Sequence, residues 1–107
     1  IAMLRDVSEQ TFSADVLTSD VPVLVDFWTA WCAPCKTVLP VLEDLSTELA
    51  GRVRIVKIDA ESNQATALRY RVASFPTFVL FRGGQMVDRL LGATTKSALR
   101  GFLERNL

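Results

Sequence analysis

Cys32 and Cys35 are the only cysteines in this 107-residue chain, and they stand three apart in "WCAPCK" (31–36). Two thiols at that spacing can be half of a metal site, a structural staple, a redox couple, or two inert buried groups. A structural zinc site needs four nitrogen or sulfur ligands, commonly two such pairs or one pair with histidines. The chain has one pair and no histidine. Zinc would therefore need carboxylates or a second chain. The lack of histidine also removes the usual general base.

Position argues against inert thiols. The pair falls where an apolar, β-branched run, "VPVLVDFW" (21–28), gives way to helical spacing from Pro34. A helix start carries unpaired N–H groups and partial positive charge, and both favour an anion. Ser, Thr, Asp and Asn are absent from residues 30–35, so no ordinary cap serves this helix. Cys32 stands at the cap position, and its thiolate can accept from the Cys35 N–H. Pro34 lacks an N–H, which costs little in a first turn. Such a setting lowers a thiol pKa, exposes Cys32 and brings Cys35 within bonding range. A pair of this kind can attack a disulfide and resolve the mixed intermediate.

Two charges interrupt apolar strands nearby. Asp26 lies in "VLVDFW" and Lys57 in "RIVKIDA". One reading is a buried ion pair or two strand-edge charges. The other is an Asp26 with raised pKa that exchanges protons with Cys35, with Lys57 as its neighbour. Pro76, in "SFPTF", opens a later strand. It is either an edge stop or a cis-proline beside the dithiol that fixes its loop and keeps metal out.

The elements that must position these residues follow from periodicity. Numbered in chain order, the strands are expected at 2–7 (β1, an edge), 21–28 (β2), 52–60 (β3), 77–81 (β4) and 86–92 (β5). Arg82-Gly83-Gly84-Gln85 is the turn between the last two. Helices are expected at 8–17 with Ser8 as a cap, at 34–50 with a kink at Pro40, and at 63–70. Thr95 caps a last one, with Leu99, Phe102 and Leu103 facing inward. Strand–helix–strand order followed by a hairpin implies a mixed α/β sheet.

One domain spanning 1–107 suits the length, and half the residues are hydrophobic, enough for a real core. Net charge is zero, with 12 basic and 12 acidic residues and no basic block, so no nucleic-acid footprint is present. No apolar run approaches the ~20 residues of a membrane span. Two cysteines are too few for a disulfide scaffold, which suggests an intracellular, cytoplasmic protein. The N-terminus lacks the basic start and apolar stretch of a signal peptide. It does not begin with Met, so an organelle targeting segment removed from a precursor stays open.

Together, "VDFWTAWCAPCK", "FPTFVLFRGG" and "LLGA" resemble the thioredoxin family, with the similarity running from Val16 to Leu107. A cysteine pair alone is moderate evidence. The pair with Asp26, Trp28, Trp31, Pro40, Lys57, Pro76, Gly84 and Gly92 at matching places is very specific. The resemblance implies a thioredoxin fold: a central five-stranded mixed sheet in the order β1-β3-β2-β4-β5, flanked by four helices. It implies a monomeric protein-disulfide reductase with no bound cofactor, re-reduced by a thioredoxin reductase that draws on NADPH or ferredoxin.

Under it, Cys32 is the nucleophile and Cys35 resolves, Asp26 assists proton transfer, and Lys57 tunes Asp26. Trp31, Ala33, Pro34, Phe75, Pro76, Gly92 and Ala93 form the contact surface for disulfide-containing target proteins. Trp28 packs behind the dithiol, and Pro40 and Gly84 are structural. Alternatives are an oxidase or isomerase of the same fold, or a non-enzymatic binding subunit using the rim around Trp31 and Pro76.

Four departures from the family pattern stand out. Ala33 replaces a Gly, which should stiffen the first helical turn and shift potential or target choice. Phe75 replaces Ile or Val, Glu61 replaces Asp, and Arg71 stands where a helix-ending Gly is common.

Overall fold

Val23–Trp28 (β2) is buried along nearly its whole length because it is the middle strand of the sheet. In the computed structural model, which describes residues 4–107, β2 pairs in parallel with Arg54–Asp59 (β3) and antiparallel with Thr77–Arg82 (β4). Arg5–Val7 (β1) adds in parallel to the outside of β3, and Gln85–Leu91 (β5) adds antiparallel to β4. The order is β1-β3-β2-β4-β5, as the family resemblance implies. Of the expected first strand, Ala2 and Met3 lie outside the described residues.

Strand alternation sorts the core into two layers. Val25, Phe27, Val56, Ile58, Val79 and Phe81 face Phe12 and Val16. Leu24, Ile55, Phe78 and Leu80 face Leu42, Leu45, Leu99 and Phe102 from the helices Leu39–Glu48 (α2) and Lys96–Glu104 (α4). Thr95 caps α4, its Oγ1 accepting the Ala98 N–H at 3.1 Å. Leu99, Phe102 and Leu103 are buried, as the sequence pattern predicts.

Two helical expectations need correction. The single helix over 34–50 is two: Ala33–Thr37 (α1) and α2, with Val38 between them. Pro40 has no N–H for the Lys36 carbonyl, and its ring crowds that carbonyl. Pro40 falls instead in the first turn of α2, where the missing donor is harmless.

The helix expected over 8–17 shrinks to one π-helical turn, Ser13–Leu17, closed by the Thr18 N–H on the Ser13 carbonyl at 3.0 Å. Ser8 does not cap it. Its own N–H donates to Thr11 Oγ1 at 3.0 Å, and the Thr11 N–H donates to the Ser8 carbonyl at 3.1 Å. Short polar side chains here form a local turn that competes with helix.

The hairpin turn is Gly83-Gly84, with φ of +58° and +78°, the two positive values that a twisted two-residue turn requires. A Cβ on Gly84 would lie 3.0 Å from the Leu17 carbonyl oxygen.

Gln64–Arg69 (α3) ends in a different way from the family's habit. The Arg71 N–H donates to the Leu68 carbonyl (3.0 Å) and the Val72 N–H to the Ala67 carbonyl (2.8 Å), with Arg71 itself at φ +56°. This is the left-handed helix ending that normally uses glycine. Arg89 of β5 fastens it, donating to the Tyr70 and Arg71 carbonyls at 2.9 and 3.1 Å. Arg71→Gly should raise unfolding free energy in urea by about 0.5–1 kcal/mol, since it removes the left-handed penalty and leaves the carbonyl that Arg89 holds. Gly84→Ala should lower it by at least about 1 kcal/mol.

Candidate active site

The strand β2 ends at Trp28, and the chain turns through Thr29–Trp31 into α1. Cys32 occupies the cap position with extended backbone, φ −92° and ψ 106°. Its Sγ accepts the Cys35 N–H at 3.2 Å, and its own N–H donates to the Thr29 carbonyl at 3.3 Å. Cys32 and Cys35 are joined as a disulfide across a Cα–Cα distance of 5.3 Å. The expectation of an exposed Cys32 is not met in this oxidised state, where the two cysteines are 4% and 3% exposed. The Cys32 sulfur is turned toward Cys35, bonded to its sulfur and accepting its N–H, and both contacts cover it.

Asp26 lies four residues before Ala30, in the middle of β2, with zero exposure and neither carboxylate oxygen hydrogen-bonded. Burial pushes its pKa up to about 7, and the positive charge of Lys57 offsets part of that rise. The two are register neighbours across β2 and β3. The ion pair that Lys57 makes is with another partner: its Nζ is 3.1 Å from Asp6 of β1 and 5.2 Å from the centre of the Trp28 ring.

A 230 Å³ cavity lies between Lys57 and Cys35, lined by Trp28, Thr29, Cys35, Lys36, Leu39 and Lys57. Asp26, Trp28 Nε1 and Thr29 Oγ1 supply four of the five buried side-chain polar atoms without a partner among the described residues. Native interiors keep few such atoms. Their concentration beside one disulfide marks the site.

On the other side, the Phe75–Pro76 peptide bond is cis. The Pro76 carbonyl accepts the Gly92 N–H at 2.8 Å, and Thr77 Oγ1 donates to the Ser74 carbonyl at 2.7 Å. The first bond holds the Phe75–Pro76 loop against the end of β5, and the second closes the loop on itself. Around the disulfide, Ala33, Pro34 and Ala93 are exposed, Phe75 is half-buried and Pro76 is buried. Trp31 is 67% exposed, its ring edge-on to Phe75 at 5.9 Å, and its Nε1 donates to Glu61 Oε2 at 3.1 Å. Pro40 and Gly84 lie away from this cluster, in α2 and the hairpin turn.

Sequence reasoning missed Asp6 and Thr29. Asp6 meets Lys57 only through the β1–β3 register, and nothing local marks Thr29 as a wall of the cavity. Among the described residues no group of three or more His, Cys, Asp or Glu side chains could hold a metal ion. No helix among them is long and apolar enough to cross a membrane.

A cysteine pair bonded across the first turn of a helix, on this five-stranded sheet, defines a thiol–disulfide oxidoreductase. The chain belongs to the thioredoxin family, whose pattern it matches over residues 3–105. It is 44% identical over 106 residues to Thioredoxin C-2 of Corynebacterium nephridii, covering 99% of this chain and 98% of that one. It is 46% identical over 101 residues to a Synechocystis thioredoxin, with 94% of each covered. A Mycobacterium bovis thioredoxin is 50% identical over 93 residues, 87% of this chain and 80% of that one. The activity is protein-disulfide reduction.

The titration of Asp26 has a definite sign. Its folded pKa lies above the unfolded one, so between about pH 4 and 7 the native state holds a proton that the unfolded chain has lost, and stability falls as pH rises. Asp26→Asn should therefore be more stable than the parent at pH 8 by on the order of 4 kcal/mol. The gap should close toward pH 4, and urea titrations across pH 4–9 check both.

Proposed function

We propose that this protein is a monomeric, single-domain electron carrier that reduces protein disulfides in the cytoplasm. The observation that carries this reading is the Cys32–Cys35 disulfide at a helix start, with Cys32 Sγ accepting the Cys35 N–H. In the reduced state the same N–H and the helix dipole favour a thiolate on Cys32. That thiolate attacks one sulfur of the target disulfide. A Cys32–target bond forms and the target's other sulfur leaves as thiolate. Cys35 then gives up its proton and attacks Cys32 Sγ. The Cys32–Cys35 disulfide re-forms and the second target thiolate departs. Two electrons pass to the target, and the dithiol is oxidised.

Asp26 is the proton acceptor for Cys35 in this scheme. A carboxyl with a pKa of about 7 is poised to take and return a proton near neutral pH. Lys57 tunes it through charge. Trp31, Ala33, Pro34, Phe75, Pro76, Gly92 and Ala93 form the face on which the target lies. No backbone hydrogen bond among the described residues occupies the Phe75 N–H or carbonyl, which leaves both for pairing with an extended target segment.

Restoring the dithiol requires two electrons from outside, with a thioredoxin reductase as donor and NADPH or ferredoxin behind it. A Mycobacterium leprae bifunctional thioredoxin reductase/thioredoxin supports that partnership, matching this chain at 48% over 94 residues, 88% of this chain and 20% of that protein.

Reduced protein should accelerate insulin-disulfide reduction by dithiothreitol. Cys32→Ser should abolish the effect, while Cys35→Ser should trap targets as mixed disulfides. Asp26→Asn should slow turnover most where Cys35 must lose its proton, below about pH 8. Activity surviving Cys32→Ser would favour a binding role. A midpoint potential above roughly −200 mV would favour an isomerase or oxidase.

A further inference from the structure

We propose that Glu61 and the apolar groove it borders form a subsite for a basic side chain of the target, so that the protein favours disulfides flanked by arginine or lysine. The proposal rests on the reductase reading above and adds a substrate class to it.

The groove encloses about 400 Å³ between the Trp31 loop and α3, separate from the cavity behind the disulfide. Ala60, Ala67, Leu68 and Val72 give it aliphatic walls, and Trp31 and Phe75 form its edge nearest the sulfurs. Leu68 is 78% exposed, an apolar side chain held out to solvent at the outer wall. Walls of this kind suit the methylene stem of a long side chain whose charged head stays at the rim.

Among the described residues, Glu61 is the one charged residue lining the groove. Its carboxylate is anchored, with Oε2 accepting from Trp31 Nε1 and its backbone N–H held by Asp59 Oδ1 at 3.0 Å. None of the ion pairs among the described residues uses Glu61. Asp59 adds further negative charge at the same turn. Its carboxylate is occupied by the Glu61 and Ser62 N–H groups and the Ser62 hydroxyl. Arg69 of α3 lies over the Tyr70 ring at 5.5 Å. A guanidinium or ammonium arriving at the rim would meet a carboxylate that is in no ion pair among the described residues and a largely exposed indole, and both attract it.

Trp31 directly precedes Cys32. A target residue two to four positions from the attacked cysteine lies roughly 7–13 Å along an extended chain at about 3.3 Å per residue, and the groove begins at Trp31, the neighbour of Cys32. An acidic residue there would face Glu61 and be disfavoured. A leucine would fill the walls and leave Glu61 unused.

The test uses short peptide disulfides identical except at one position, two, three or four residues from the cysteine. That position carries arginine, citrulline, leucine or glutamate. Citrulline matches arginine in shape and lacks its charge. The readout is the second-order rate constant for reduction by the fully reduced protein. Arginine should exceed citrulline by roughly three- to tenfold at one or more positions in low salt. The ratio should collapse toward one in about 1 M salt, where screening acts within ~3 Å. In Glu61→Gln, which keeps an acceptor for Trp31 Nε1, the arginine-to-citrulline ratio should fall to near one. In Glu61→Lys the preference should pass to glutamate.

A wild-type ratio near one at every position overturns the proposal, as does a ratio that persists in Glu61→Gln. Leucine outpacing both, regardless of Glu61, identifies an apolar subsite and also overturns it. If the wild type reduces neither insulin nor any peptide, the reductase reading itself fails. Equal reduction of all peptides leaves that reading standing and removes only the subsite.

Discussion

The Cys35 N–H lacks a partner within its helix, and the Cys32 sulfur supplies one. Much of the structure serves that contact. The fully buried strand β2 delivers the chain to the end of the sheet, and the Thr29 carbonyl holds the Cys32 N–H. Helix α1 is only five residues long before Pro40 forces the chain into α2. A sulfur in the cap position has the helix dipole behind it whether it is bonded to Cys35 or charged. One device therefore serves both redox states.

Asp26 is the counterpart of that arrangement on the interior side. It shares the strand face of Leu24, lies opposite Phe78 on β4, and no polar group among the described residues bonds its oxygens. Lys57 is close enough to moderate the charge, while its ammonium is drawn away to Asp6 and to the Trp28 ring. A tight Asp26–Lys57 ion pair would hold the carboxyl ionised and end its use as a proton acceptor near neutral pH. The third strand partner, β1, thus bears on the active site through a single surface ion pair.

The loops show a similar division. The Phe75–Pro76 loop is fastened at both ends, by Gly92 and Thr77 on one side and by the Arg89 bonds to Tyr70 and Arg71 on the other. Arg71 stands in a left-handed conformation that glycine would adopt more easily, and the Arg89 fork is what the tertiary structure offers in return. Trp31, braced between Phe75 and Glu61, is held in place while most of its surface stays open.

Much of this was legible in the residues. The cysteine spacing, the missing polar cap and the missing histidines pointed to a redox pair, and the apolar runs marked β2 to β5. The strand order came from the family resemblance. The first helix was misread because Ser8 and Thr11 bond one another, a competition that periodicity does not record. The exposure of Cys32 was misread because burial depends on the bond to Cys35 and on the loop packed around it.

What the sequence by itself determined is local: which segments pair or coil, which sulfur caps which helix, and which two charges interrupt apolar strands. Only the tertiary structure decided that Lys57 turns to Asp6, that Thr29 walls the cavity beside Cys35, and that Trp31 meets Glu61 thirty residues away. Those contacts depend on register and on chain segments distant in sequence brought side by side, and neither is encoded in the spacing of any one stretch.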